Sequence, residues 1–142
     1  MPTHYNISTD KTLLDPSVIH TFLTDSYWAK GILFENVLKR IENSLCFGVY
    51  DNDGNQVGFA RVISDCESFA YLADVFILPA HRGQGLSKQL IAYIMAYPDL
   101  QNLKRFMLAT VDAHTIYAPF GFQPIQHTER WMEKTFLNVY QL

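Results

Sequence analysis

The sequence has little charge, few cysteines and no long hydrophobic run. Charged residues make up 18% and hydrophobic residues 49% of the 142 residues, a balance that excludes intrinsic disorder. Lysines and arginines number 11 against 14 aspartates and glutamates, so no overall basic field exists to hold a nucleic acid. No run reaches the ~18 apolar residues that a membrane span needs. We therefore expect one folded domain, residues 1–142, with neither nucleic acid nor a membrane as partner.

Cysteine and histidine do not occur in metal-binding patterns either. Cys46 and Cys66 lie in different segments without CxxC spacing, and the five histidines form no HExxH motif. We therefore expect no metal, and we expect Cys46 to be a buried, inert thiol in a strand. The N-terminus shows neither the basic nor the apolar region of a signal peptide, so the expected location is the cytoplasm.

Hydrophobic periodicity predicts alternating helices and strands. Asp15 and Pro16 are typical of a helix start, and an apolar stripe from Phe34 to Ile41 predicts a second helix. The remaining predicted elements are a hairpin over 45–50 and 56–63, a central strand over 69–78, a helix over 85–97, a strand over 106–110, a short helix capped by Asp112 and ending at Tyr117, and two final strands after Gly121 that include 131–139. The order β-α-α-β-β-β-α-β-α-β-β predicts an α/β fold with a mixed, mostly antiparallel sheet flanked by helices.

A loop with two glycines, Gly83 and Gly85, joins the central strand to the helix that follows it. Such glycines let the backbone approach a ligand, and the first N–H groups of a helix lack intrahelical partners, so the loop suits a phosphate. A tight turn alone also explains an isolated GxG. The motifs GxGxxG and GxxxxGK[ST] both fail, because each would need glycine at Lys88.

The loop sequence resembles a family signature. Arg82-Gly83-Gln84-Gly85-Leu86-Ser87 is similar to the R/Q-x-x-G-x-G/A motif of the GNAT N-acetyltransferase superfamily, and the stretch from Tyr117 to Phe122 is similar to its Y-x-x-x-G-F motif. The resemblance implies a single-domain GNAT-like fold with acetyl-CoA as co-substrate. It further implies cofactor binding by two groups of residues: the loop residues Arg82, Gly83, Gln84, Gly85, Leu86, Ser87 and Lys88, and the strand residues Val75, Phe76 and Ile77, which would pair with the pantetheine arm. Ser87 departs from the usual glycine or alanine, but it is small and keeps its N–H.

Acetyl transfer from a thioester to an amine needs a base, an oxyanion donor and an acid for the leaving thiolate. Asp74 is the lone carboxylate of an apolar strand, so burial is expected to raise its pKa and suit it to act as the base; a structural role is the alternative. The resemblance implies that Tyr117 protonates the departing sulfur, whereas an isolated tyrosine usually serves packing. It also implies an oxyanion donor among the backbone N–H groups of residues 75–77.

Tyr27 and Trp28, in the loop between the first two helices, either cover the core or wall the acceptor pocket. The predicted function is an acetyl-CoA-dependent N-acetyltransferase that moves the acetyl group to a primary amine of a small molecule by direct transfer in a ternary complex, as a monomer or homodimer. Two alternatives stay open: a peptide or protein N-acetyltransferase, and a non-catalytic acyl-CoA-binding module. The presence of Tyr117 and Asp74 favours an enzyme.

Overall fold

A five-stranded sheet forms the centre of the molecule, whose computed structural model describes residues 4–137, 139 and 140. The strands lie side by side in chain order: β1 (Asn6–Ser8), β2 (Leu45–Tyr50), β3 (Gln56–Ser64), β4 (Phe69–Ile77) and β5 (Arg105–Leu108). The first three pairings are antiparallel, and β4 pairs with β5 in parallel. The predicted mixed, mostly antiparallel sheet is confirmed.

Four helices cover the sheet: α1 (Pro16–Thr24), α2 (Phe34–Glu42), α3 (Leu86–Met95) and α4 (His114–Tyr117). The Asp15 carboxylate accepts the N–H groups of Ser17 and Val18, which is the predicted cap of α1. The prediction that Asp112 caps α4 is wrong. Ala113 is the residue at the cap position, no side chain among the described residues accepts the first N–H groups of the helix, and the Ala113 N–H itself donates to Thr110 Oγ1. Within residues 4–137, 139 and 140, no helix is long and apolar enough to cross a bilayer.

Two hydrophobic cores lie on opposite faces of the sheet. The core on the α1 and α2 side contains Ile19, Leu23, Ala29, Ile32, Val37, Cys46, Phe59 and Phe76. The core on the α3 side is larger and includes Phe47, Val62, Leu72, Leu90, Ile91 and Ile94. Each fully buried aliphatic or aromatic side chain of this kind stabilises the fold by about 1.5–3 kcal/mol relative to exposure. With both faces covered, a ligand can enter the sheet only where strands separate.

A bulge at Asp74 interrupts the regular alternation of β4. Ala60 of β3 lies opposite two residues, Asp74 and Val75, and Asp74 has a positive φ of 54°. Before the bulge, Leu72 faces the α3 side; after it, Phe76 faces the α1 and α2 side. The extra residue therefore exchanges the two faces of the strand and turns the Asp74 carboxylate toward α1 and α2.

A gap in the sheet begins next to this bulge. Pairing between β4 and β5 runs from Phe69 opposite Arg105 to Leu72 opposite Leu108 and ends there. Beyond that point the described residues provide no strand partner for the outer edge of residues 73–77, and residues 109–113 line the opposite side of the opening. We call this opening the gap. It is a place where an extended ligand can reach backbone groups of the sheet.

The structure differs from prediction after Gly121. Among residues 122–137, 139 and 140 no strand forms, although two were predicted, and Asn138 lies outside the described residues. Strand propensity reflects packing on a half-buried pleated surface. Met132 and Phe136, in the second predicted strand, have no such surface, since they are 96% and 71% exposed. The elements up to α4 follow the predicted order.

Candidate functional site

The glycine loop, residues 82–88, provides a set of backbone donors at the start of α3. Gly83 and Gly85 have φ values of 81° and 78°, the left-handed region that favours glycine. No other atom lies within 4 Å of the position that a Cβ would take at either residue, so the space beside the loop is open. The first helical bond of α3 is donated by Gln89 to the Gly85 carbonyl, which leaves the N–H groups of residues 86–88 without intrahelical acceptors. This arrangement suits a phosphate.

Two contacts fix the glycine loop against the sheet. Arg82 Nε donates to the Ile77 carbonyl at 2.8 Å, which ties the loop to the end of β4. The Tyr5 hydroxyl bonds to His81 Nδ1 at 2.9 Å and also contacts the Gln84 amide. The Arg82 side chain therefore ties the loop to β4, and Tyr5, next to β1, supports it from the other side.

The end of β4 presents backbone groups to the gap. The Leu78 N–H donates to the Val57 carbonyl at 2.8 Å, so by the alternation of a strand the N–H and C=O of Ile77 point away from β3 and into the gap. Arg82 uses that carbonyl, which leaves the Ile77 N–H for a ligand. Phe76 differs from its neighbours, because its backbone pairs with β3 and its ring stacks on Phe22 with centroids 4.1 Å apart.

One cavity of about 730 Å³ connects the glycine loop, the gap and a chamber under α1 and α2. We call that chamber the arginine chamber; its lining includes Tyr27, Trp28, Arg40, Arg61 and Asp74. The predicted site residues that line the whole cavity are Tyr27, Trp28, Asp74, Val75, Phe76, Ile77, Arg82, Ser87 and Tyr117. The other predicted residues, Gly83, Gln84, Gly85, Leu86 and Lys88, lie in the loop and first turn of α3 but are not among the residues that line it.

Tyr117 is the acid candidate and is held in α4 at one side of the cavity. Its side chain is buried, with 9% of the residue exposed, and its ring packs edge-on against Phe122 at 6.1 Å. Burial, with a smaller contribution from Tyr27, raises the pKa of its hydroxyl above the usual value of 10.0. The phenol is therefore protonated at neutral pH and has a proton to give.

Asp74 lies at the centre of an ion network in the arginine chamber. Its carboxylate accepts Arg40 Nη1 at 2.9 Å and Arg61 Nε at 2.5 Å on Oδ2, and Trp28 Nε1 at 2.8 Å on Oδ1. The side chain of Asp74 is 2% exposed, and those of Arg40 and Arg61 are 22% and 11% exposed. The carboxylate thus has donors on both oxygens.

The pKa of Asp74 is lowered overall, so the expectation that it is raised is wrong. Burial does act in that direction, but the charge and hydrogen bond of Arg61, the charge of Arg40 and the hydrogen bond of Trp28 together lower the pKa of the carboxyl below its ordinary value of 3.8. An ionised carboxylate stabilised by two guanidinium groups is a weak base. The geometry therefore argues against Asp74 as the proton acceptor and for a role in positioning its partners.

Arg40 and Arg61 are the site residues that sequence reasoning missed. Arg61 is the only charged residue in β3, as Asp74 is in β4, and the hairpin places Arg61 opposite Ala73. Two lone opposite charges in neighbouring apolar strands were a signal that could have been used. Arg40 lies in α2 among other charged residues, so nothing in its sequence position distinguishes it from the exposed charges of that helix. Within the described residues no group of three metal-ligating side chains occurs.

Two comparisons with known proteins point to one protein family. The family model described as "Acetyltransferase (GNAT) domain" matches residues 42–124, more than half of the chain. A protein from Gibberella zeae that carries an acetyltransferase name is 30% identical over 128 residues, covering 76% of this chain and 72% of the relative. The family-model match includes β4, the glycine loop and α4.

Solved structures agree with the fold. A crystal structure from Xanthomonas campestris, described as a GNAT-family acetyltransferase, is 52% identical with a TM-score of 0.95, covering 100% of this chain and 99% of that chain. A Clostridium acetobutylicum acetyltransferase, crystallised with acetyl-CoA, has a TM-score of 0.67 at 16% identity, covering 96% and 98% of the two chains. The second likeness concerns the fold alone.

Proposed function

Because the chain belongs to the GNAT acetyltransferase family, we propose that it transfers the acetyl group of acetyl-CoA directly to the primary amine of a small molecule in a ternary complex. The observation that carries this proposal is the single cavity that joins the glycine loop, the gap and the arginine chamber. Both substrates can meet in it without a covalent intermediate. The Cys46 thiol does not line it, and burial raises its pKa to about 11, which makes it a poor nucleophile.

The residues around the loop and gap fit the proposed co-substrate. The N–H groups of residues 83–88 would bind the pyrophosphate, since the glycines leave open space beside donors at a helix start. Val75 and Ile77, at the unpaired edge of β4, would bond to the pantetheine arm as an added strand does. When bound, acetyl-CoA supplies the activated thioester.

The chain's own contributions to the transfer are one proton and one oxyanion donor. The Tyr117 hydroxyl, protonated because of its raised pKa, would donate its proton to the departing sulfur as the C–S bond breaks. The proton that the amine nitrogen loses as the C–N bond forms would pass to water in the open cavity, and water would return a proton to the Tyr117 oxygen. A backbone N–H of Val75 or Ile77 would bond to the developing oxyanion. Asp74 would hold Arg40 and Arg61 in place; with its lowered pKa it does not compete for the proton of the amine.

Thiol release from acetyl-CoA across a panel of amines tests this proposal, with wild type and Tyr117→Phe compared side by side. General acid catalysis contributes about 10²- to 10⁴-fold, so we expect kcat of Tyr117→Phe to fall at least about 100-fold with little change in the KM for acetyl-CoA. Tyr93→Phe is the matched control, because Tyr93 is 38% exposed on α3 and does not line the cavity. Its kcat should equal that of wild type.

Two results would contradict the proposal. If no amine accelerates thiol release although acetyl-CoA binds, the chain is not an amine acetyltransferase of the proposed kind. If single-turnover transfer is equally fast in Tyr117→Phe and wild type, Tyr117 is not the acid.

A second groove supports a larger acceptor as the alternative. This open groove of about 800 Å³ adjoins the arginine chamber and shares Phe22, Tyr27 and Trp28 with it. It has more room beside α1 than a small amine needs, so an acceptor amine on a peptide could extend along it. Comparing kcat/KM for a free amino acid with that for peptides of two to six residues separates the two acceptor classes. A steady rise with peptide length would favour the peptide acceptor.

A further inference from the structure

We propose that the acceptor amine carries an anionic group, a carboxylate or a phosphate-type group, that binds to Arg40 and Arg61 in the arginine chamber. This inference rests on the proposed function, since it takes the arginine chamber as the place where the acceptor binds. It narrows the acceptor from primary amines in general to amino acids and similarly charged amines.

The first observation is the local charge. In the arginine chamber, the two guanidinium groups of Arg40 and Arg61 face one carboxylate, that of Asp74, which leaves one net positive charge. The chain as a whole has a formal charge of −3. The cavity's other charged residues lie elsewhere: Arg82 in the glycine loop and Asp112 along the gap. The chamber therefore has the opposite sign to the whole molecule.

The second observation is that one arginine is enough to neutralise Asp74. Removing a guanidinium group from water costs free energy that its partner must offset, and Asp74 offers a single negative charge to two such groups. Burial alone lowers the pKa of Arg40, yet the nearby Asp74 carboxylate and the Tyr140 hydroxyl raise it overall, so Arg40 stays charged. An anionic ligand would supply the charge that the second guanidinium group lacks.

The third observation is the set of remaining donors. A guanidinium group has five N–H bonds. Arg40 uses Nη1 toward Asp74 and Nη2 toward the Tyr140 hydroxyl at 2.8 Å. Arg61 uses Nε toward Asp74 and Nη1 toward Ser44 Oγ at 3.1 Å. Among residues 4–137, 139 and 140, neither Arg40 Nε nor Arg61 Nη2 has an acceptor, so each arginine keeps a donor for a ligand.

The same charge discriminates between classes of amine. An amine with a second cationic group would bring a positive charge into a partly buried chamber that is already positive, which is unfavourable at low effective dielectric. A neutral amine would leave the surplus guanidinium charge uncompensated. A carboxylate or phosphate-type group forms charge-assisted hydrogen bonds with both arginines. The expected order of acceptors is anionic, then neutral, then cationic.

Matched acceptors test this order in the wild-type enzyme. Each set has the same carbon chain and one primary amine, with a carboxylate, a phosphonate, a carboxamide or a second amine at the other position; α-amino acids with their carboxamides form a further set. We expect kcat/KM, corrected for the fraction of free amine, to be at least about 10-fold higher for the anionic member than for its carboxamide. The carboxylate and phosphonate arms show which anion is preferred.

Variants of Arg40 test whether this residue causes the preference for anionic acceptors. In Arg40→Gln the ratio of anionic to carboxamide kcat/KM should fall toward one, mainly through the KM of the anionic member, and Arg40→Lys should restore part of it. Lys39→Gln is the control, because it removes the same charge from an exposed position of the same helix. Should Arg40→Gln fail to fold, the wild-type acceptor series decides on its own.

A binding measurement separates this inference from the proposed function. Trp28 bonds to Asp74, so its fluorescence in the CoA-loaded enzyme reports ligands in the chamber. Saturable binding of anionic amines without any acetylation would support the anion site and contradict amine transfer. Equal or faster acetylation of neutral or cationic amines would overturn the anion site and leave amine transfer in place. If no member of the series binds and none is acetylated, both the anion site and amine transfer are overturned.

Discussion

The two ends of the cavity are built from different parts of the protein. The glycine loop offers backbone N–H groups from one continuous segment, residues 82–88, and the side chains of Arg82 and Gln84 hold that segment in place. The arginine chamber is built from side chains that come from four separate elements: the α1–α2 loop, α2, β3 and β4. A backbone site depends on chain conformation, whereas a side-chain site depends on every member of its network.

This difference predicts different responses to mutation. The glycine loop should tolerate many side-chain changes but not a residue that alters its left-handed positions. The arginine chamber should lose stability as well as activity when Asp74 is removed, because Arg40 and Arg61 are then left partly buried without a counter-charge.

The largest expected effect is that of Asp74→Asn. Removing one partner of a buried ion pair costs about 3–5 kcal/mol, so the free energy of unfolding should fall by about that amount in urea denaturation at pH 7. Two guanidinium groups would remain with no carboxylate between them. Asp53→Asn, at an exposed position in the β2–β3 turn, should leave stability unchanged.

The difference between wild type and Asp74→Asn should also depend on pH. Because the pKa of Asp74 is lowered in the folded state, its stabilisation is complete above the unfolded value of 3.8 and is lost as the pH falls through the lower, folded value. The difference in unfolding free energy between the two proteins should thus be constant near neutral pH and should decrease only in strong acid. A difference that decreases between pH 7 and pH 5 would contradict a lowered pKa.

An intermediate effect is expected from Gly83→Ala, compared with Gly54→Ala. Both glycines have a φ of 81° and open space around a new Cβ, so alanine should cost about 1–2 kcal/mol of stability at either position. Only Gly83 belongs to the glycine loop. We expect the KM for acetyl-CoA to rise about 5- to 10-fold in Gly83→Ala and to stay constant in Gly54→Ala, and equal KM values would remove the loop from cofactor binding.

The smallest effect should be that of Trp28→Phe. The change removes one hydrogen bond to the ionised Asp74 carboxylate, worth about 1.5 kcal/mol for a half-exposed donor, while Asp74 keeps both arginines and most of the aromatic area is kept. Trp131→Phe is a suitable control, since Trp131 is 39% exposed against 41% for Trp28 and does not line the cavity. The KM for the acceptor should rise only in Trp28→Phe; equal values in both variants would place Trp28 outside acceptor binding.

Much of the fold follows from local sequence signals. The Asp15 cap, the short turn of the hairpin between β2 and β3 and the apolar period of α3 each depend on neighbours in the chain, and the structure contains all three elements. The strands predicted after Gly121 depend instead on a surface for the large side chains to pack against. Met132, Phe136 and Leu137 have no such surface and lie largely in solvent.

The candidate site divides in the same way. The glycine loop could be singled out from the sequence because its donors and its glycines are contiguous, and Tyr117 because the stretch from Tyr117 to Phe122 resembles a family motif; the roles of both stay predictions. The pKa of Asp74 was predicted in the wrong direction, because its sign is set by Arg40, 34 residues away, and Arg61, 13 residues away. Burial could be inferred from the apolar strand, but the compensating charges could not be inferred from it alone.

The bulge at Asp74 has a consequence for comparing this strand with those of relatives. One additional residue shifts the inside–outside phase of β4, so residues of the same parity lie on opposite faces before and after it. A relative with a regular strand has one residue fewer here, so Asp74 must be aligned as a one-residue insertion. If it is not, every position from Val75 to Ile77 is compared with a residue on the other face of the sheet. Conversely, deleting residue 74 would make the strand regular and would leave Val75, Phe76 and Ile77 on the faces that they already occupy.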